Sequence, residues 1–175
     1  MSFKSKIQSK YKVVGASNHD YFTSDDLEEF ESLLEDYKEV KNPNPKIRAA
    51  AKSAIKECLS DFPFWDRIAL YYSDDTDKLG HLRGETESRP IIILSPKNIV
   101  SAAKQVNVSL EDTVMTTIYH EFGHAVVRLA DMENYEFKFD DEEEFVEAFA
   151  RGRWSGRGSD TEDQFATFLQ HFTEE

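Results

Sequence analysis

The sequence predicts an α+β fold, rich in helices with a small β-sheet. Three observations predict it: long stretches with apolar residues three and four apart, only two short β-rich runs, and capping or turn residues between them. Residues 24–40, after Thr23-Ser24, read as an acidic amphipathic helix. Asn44-Pro45 opens a second, over about 45–60, with proline at the first helical position. Arg67 to Ser73 and Pro90 to Ser95 read as strands, and Asp74 to Ser88 between them as a loop or hairpin tip. A further helix is expected over about 97–106. Ser109 then caps a helix whose first turn carries Glu111 and Asp112, where acids complement the dipole. Along it Val114, Ile118, Phe122, Ala125, Val126 and Leu129 keep the spacing of a core-packed face. The acids Asp140 to Glu144 lead into Phe145 to Ala150, another helix by the same logic. Ser155 to Gly158 reads as a hinge. Thr161 to Phe172 closes the chain as a helix, with Ser159 and Glu162 as a capping pair.

One domain is expected over residues 1–175, with an N-terminal helical part (1–66) and a core (67–175) that carries the motifs. A content of 39% hydrophobic and 13% aromatic residues supplies the interior. The net charge of −13 argues against general nucleic-acid binding, which wants clustered Lys and Arg, and hints at a basic substrate. No run is long and apolar enough for a membrane helix, and Met1 to Lys6 leads into no apolar signal segment. The single cysteine, Cys58, permits no internal disulfide and suits a reducing, cytoplasmic setting. Its neighbours Ala51, Ala54, Ile55 and Leu59 make it a core residue rather than a nucleophile. Arg151, Arg153 and Arg157 are read as offsetting a helix C-terminus and nearby acids, with an anion or substrate-carboxylate role as the alternative.

The most informative feature is His120-Glu121-Phe122-Gly123-His124. Residues four apart share a helix face, so the two imidazoles can grip one metal ion, and Glu121 is placed to handle the proton of an activated water. Chance gives this pattern in roughly 1–2% of chains of this composition, so the surrounding helix signal decides in its favour. Gly123, in mid-helix, costs about 1 kcal/mol relative to alanine. It is read as a packing requirement: a bulkier residue would foul a neighbouring backbone.

A tetrahedral zinc site needs a third protein ligand and keeps one position open. The acidic helix supplies it, and helix geometry leaves Glu142 and Glu143 both open. Glu143 has Glu147 one turn ahead on the same face, which suits a ligand followed by an acid that holds a histidine ring.

His120-Glu121-x-x-His124 followed by Glu143-x-x-x-Glu147-Ala-Phe-Ala resembles the compact gluzincin zinc peptidases. The pattern is similar to the minimal ImmA/IrrE-type metallopeptidases and, locally, to the anthrax lethal factor catalytic domain, over residues 109 to 153. The resemblance implies a zincin-like (minigluzincin) fold with Zn2+ held by His120, His124 and Glu143. It further implies Glu121 as general base and Glu147 as the support of a ligand. Glu147 follows the lethal-factor pattern, whereas the ImmA/IrrE pattern has Asn or Asp there. The lethal-factor-like pattern also has a phenol upstream of the ligand helix, which makes Tyr135 the first choice as oxyanion stabiliser, with Tyr119 and His171 behind it.

The function expected is a zinc-dependent metallopeptidase, an endopeptidase acting on a protein or peptide substrate through a zinc-activated water. The alternative is a regulatory protein of zincin fold that holds zinc and acts through a partner. Glu121 argues against it, because a structural zinc site needs no base. For the strand that would bind an extended peptide, Ile91 to Leu94 is too continuously apolar for a solvated edge and reads as buried; Ile68 to Tyr72 is equally placed.

Overall fold

The computed structural model describes residues 34–83 and 90–173. The elements run α1 (Pro45–Asp61), β1 (Ala69–Tyr72), β2 (Gly80–Arg83), β3 (Ile91–Leu94), α2 (Pro96–Val106), α3 (Leu110–Met132), α4 (Glu142–Ser155) and α5 (Asp160–Thr173). Among the described residues the chain is therefore α+β, with five helices and one three-stranded sheet.

Each helix begins where a short polar side chain can accept a backbone N–H that the helix leaves free. The Asn44 side chain accepts from Lys46 N at 2.9 Å ahead of Pro45, Ser95 from Asn98 N at 3.2 Å, and Ser109 from Asp112 N at 3.1 Å. Asp141 accepts from Glu144 N and Ser159 from Glu162 N, both at 3.1 Å. The expected capping pair at Ser159 is only half formed. The Glu162 carboxylate turns instead to Arg153 Nη1, 2.7 Å away.

The strand order is β1-β3-β2, with β1 parallel and β2 antiparallel to the central β3. Ile92 and Leu94 face the helices together with Leu70 and Tyr72, whereas Ile91 and Ile93 join Leu34, Ala69 and Tyr71 in a second cluster on the far face. A strand covered on both faces has no polar side to show, which explains the uninterrupted apolar run. Two expectations need correction here. The stretch Asp74 to Ser88 holds a strand, β2, whose pairing with β3 outweighs its polar sequence. Of residues 24–40 only 34–40 are described; the helix expected over 24–33 lies outside them, and 35–40 do not continue one. A turn at Leu34 leads to a bridge between Glu39 and Ser73. Val40 N–H donates to Tyr72 O at 2.8 Å and Lys38 N–H to Asp75 Oδ2 at 2.7 Å, so these donors are spent on the edge of β1 rather than within a helix.

The main core lies between α1, α3, α4 and α5 and is heavily aromatic, with Phe62 and Phe149 in ring contact with each other and each with Phe122 and Phe165. Cys58 is part of it, and burial pushes its thiol pKa far up, so it packs as an apolar residue. Arg153 does more than offset a helix end. Its side chain is only 5% exposed and reaches Glu57 (2.7 Å), Asp61 (2.6 Å) and Glu162 (2.7 Å), tying α4 to α1 and α5 over the rings of Phe62, Tyr119 and Phe149. The Ser155–Gly158 stretch, expected as a hinge, is a tight turn. Gly156 caps α4 at φ 75°, Gly158 N–H donates to Gly152 O at 3.1 Å, and a Cβ on Gly152 would lie 2.5 Å from Gly158 O. No helix among the described residues is long and apolar enough to cross a membrane.

Replacing Arg153 by Met keeps the stem but strands three carboxylates, two of them close to half exposed. The expected loss is about 2 kcal/mol, or a thermal midpoint lowered by roughly 4–8 °C. Calorimetric melting of the two proteins checks this; an unchanged or raised midpoint would mean the ion network does not hold the helices.

Candidate metal centre

Two helices meet at a position that has no side chain. A Cβ on Gly123 of α3 would stand 3.0 Å from Val146 Cβ and 3.1 Å from its Cγ1, on α4. The packing requirement read from the sequence thus has a named partner, and it is a side chain, with the Val146 Cα at 3.5 Å. His120 and His124 lie three residues before and one after Gly123. Glu143 and Glu147 lie three before and one after Val146. One close crossing therefore brings all four side chains to the same place.

The imidazole Nε2 atoms of His120 and His124 are 3.2 Å apart. Glu143 bridges them, with Oε2 3.1 Å from His120 Nε2 and Oε1 3.0 Å from His124 Nε2. Behind each ring stands a second carboxylate: Glu147 Oε2 is 2.9 Å from His120 Nδ1, and Glu142 Oε2 holds His124 Nδ1. The partners assign the tautomers, since a ring that donates from Nδ1 to a carboxylate presents a lone pair at Nε2. Three acceptors then converge on one point, which is stable only with positive charge at the centre.

The spacing suits a metal ion. Donors about 2.0–2.1 Å from a tetrahedral zinc stand roughly 3.3 Å from one another, close to the 3.0, 3.1 and 3.2 Å seen here. Two imidazoles and one carboxylate, each ring backed by an acid, are also the donor chemistry zinc takes. Sequence reasoning left Glu142 and Glu143 both open as the third ligand; in the structure Glu143 meets both Nε2 atoms, and Glu142 meets His124 Nδ1.

Glu121 is 7% exposed and lines the same cleft, which has a volume of about 690 Å³. Burial chiefly raises its pKa to about 7, against the opposing pull of His120, Lys78 and Arg128. One wall of the cleft is β2, through Gly80, His81 and Leu82. Gly80 lets this strand lie close to α3, since a Cβ there would be 2.9 Å from Thr117 Cγ2. The strand beside the site is thus neither of the two the sequence favoured. Ile91 to Leu94 is the central strand, and β1 is the edge farther from the cleft.

The structure does not bring the three expected oxyanion groups to the cleft. Tyr135 sits among the rings of Phe137, Phe168 and His171 at 5.5, 4.7 and 5.2 Å. Tyr119 is buried with its hydroxyl donating to Glu57 Oε2 at 2.8 Å. Besides β2, the reading missed Glu142 as the support of His124 and Arg128 as a cleft residue. Arg128 was accessible in principle, four residues after His124 on the same helix face; nothing in Gly80 to Arg83 marks a strand.

No protein-family model matches the chain, and comparison with curated proteins and with solved structures likewise gave no match.

Gly123→Val is expected to force α4 outward against a β-branched neighbour that cannot rotate away, at about 2–3 kcal/mol. Adding Val146→Ala should restore most of the stability. Thermal unfolding of the single and double variants reads the coupling, and simple additivity would count against the crossing as the limiting contact.

Proposed function

We propose that the chain is a zinc-dependent peptidase with a zincin-like, minigluzincin fold, acting on a protein or peptide substrate. The observation that carries this reading is the convergence of His120 Nε2, His124 Nε2 and the Glu143 carboxylate beside a buried carboxylate that is not needed to hold the ion. His120, His124 and Glu143 would hold the ion, and Glu142 and Glu147 fix the rings from behind. Zinc, when bound, supplies Lewis acidity and a water acidic enough to attack near neutral pH.

Glu121 takes the proton of the attacking water and returns it to the leaving amine, a task best served by a group that titrates near the working pH. β2 is an edge strand among the described residues and forms a wall of the cleft, so an extended peptide can add its backbone there, next to the reacting groups. A buried base in the cleft has no task in a protein that only holds zinc and binds a partner, which is why hydrolysis is preferred. The lone, buried Cys58 suits a reducing cytoplasm.

Elemental analysis of the purified chain should find one zinc per molecule, lost in His120→Ala, His124→Ala and Glu143→Ala. Glu121→Gln should keep the zinc and lose roughly 10²–10⁴-fold in hydrolysis of a mixed peptide library; undiminished hydrolysis, or a wild type without metal, would sink the assignment. Glu142→Gln and Glu147→Gln should each weaken zinc binding about 10–100-fold in competition with a chromophoric chelator. Equal affinity for wild type and both variants would show that the outer acids do not orient the rings.

A further inference from the structure

His120, His124 and Arg128 follow one another on α3 at four-residue intervals, so they share a face and step along it by about 6 Å each. Arg128 lines the same cleft as the two histidines. Its Nη1 is buried and, among the described residues, has no hydrogen-bond partner. The other arginine of this core shows what such a group ordinarily finds. Arg153 is met by three carboxylates within 2.7 Å, whereas Arg128 has no ion pair among the described residues of a chain with 34 acidic residues. A guanidinium keeps its charge throughout the accessible pH range and presents a planar fork of donors shaped for a carboxylate. Leaving one of those donors buried and unmet is unfavourable, and it is the part-exposed remainder of the side chain that the cleft presents to a ligand.

We propose that Arg128 binds a carboxylate of the substrate, anchoring it in the cleft one helical turn beyond His124. This rests on the peptidase reading and names its substrate class: peptides carrying an acidic side chain or a free C-terminus at a fixed distance from the scissile bond. The exposed Lys78 lines the same cleft and adds charge of the same sign. Glu121, Glu143 and Glu147 line the cleft as well, so the preference is carried by Arg128 and not by the cleft as a whole; a basic side chain, which the net charge alone suggested, would find no partner at Arg128. An Asp or Glu side chain and a chain terminus offer the same two oxygens to the fork.

The test uses the full chain with Glu121→Gln, in zinc-containing buffer, so that peptides are held but not cut. A random hexapeptide library is presented in two forms, C-terminal acid and C-terminal amide, and retained peptides are identified by mass spectrometry. Asp or Glu enriched roughly tenfold at one position of the amide library assigns an internal acidic side chain; acid retained over amide to that extent assigns the chain end. Either preference should vanish on adding Arg128→Gln and persist in part with Arg128→Lys, which keeps the charge but not the fork. Arg128→Gln in the wild-type chain should leave the melting temperature unchanged or raise it, since no hydrogen bond or ion pair among the described residues is lost.

The proposal is overturned by retained peptides of the same composition with and without Arg128, or by no retention above the double variant. It also falls if Arg128→Gln lowers the melting temperature by more than about 3 °C, which would mean that the guanidinium serves the fold. Carboxylate capture through Arg128 by a wild type that cuts nothing would remove the peptidase reading and leave the anion site. Hydrolysis without carboxylate preference would remove this inference alone.

Discussion

The missing side chain at Gly123 is the constraint on which the site depends. Glutamate and histidine side chains have fixed reach, so four of them meet only if the helices that carry them come close. Ordinary helix pairs are held 8–10 Å apart by the side chains at their contact. Here one of the two contributes nothing, and Val146 fills the place. The partner helix is also pressed from behind. Phe145 and Phe149 pack on Phe165 of α5, and the Thr161 hydroxyl donates to Phe145 O at 2.7 Å. A site carried by two helices clamped in this way is more precisely placed than one carried on loops.

Much of this was legible in the sequence because it follows from period and capping. The spacing of Val114 to Leu129 fixes a buried face, and the same period puts His120 and His124 together; Ser109 and Asp141 mark where α3 and α4 begin. Long-range pairings were not legible. β2 owes its existence to the register Gly80↔Leu94 through Arg83↔Ile91, and four residues of mixed polarity carry no strand signal of their own. Residues 34–40 fail as a helix for the same reason, since the edge of β1 competes for their donors. Tyr135 was placed from an approximate offset in a family pattern. The physical reason it lies elsewhere is the aromatic packing against Phe137 and Phe168 that takes its ring.

Charge in this molecule is organised by neighbourhood rather than by total. Glu142, Glu143 and Glu147 of α4 are spent on imidazoles, and Glu57 and Asp61 of α1 on Arg153, with Glu57 also accepting from the Tyr119 hydroxyl. Tyr119 precedes His120 directly, so its bond to Glu57 ties the backbone at His120 to α1. Neighbouring residues of α3 thus join two neighbourhoods, Tyr119 touching the Arg153 ion network and His120 the paired imidazoles.

The shortness of β2 sets a limit of its own. Four residues of extended chain cover roughly 13 Å, and only alternate residues on an outer edge offer both their main-chain groups to a newcomer. A chain segment laid against it would gain about two residues' worth of ladder, too little to strip a strand out of a folded neighbour and too short a template for filament growth. Whatever settles there must already be loose, and its grip must come from its side groups.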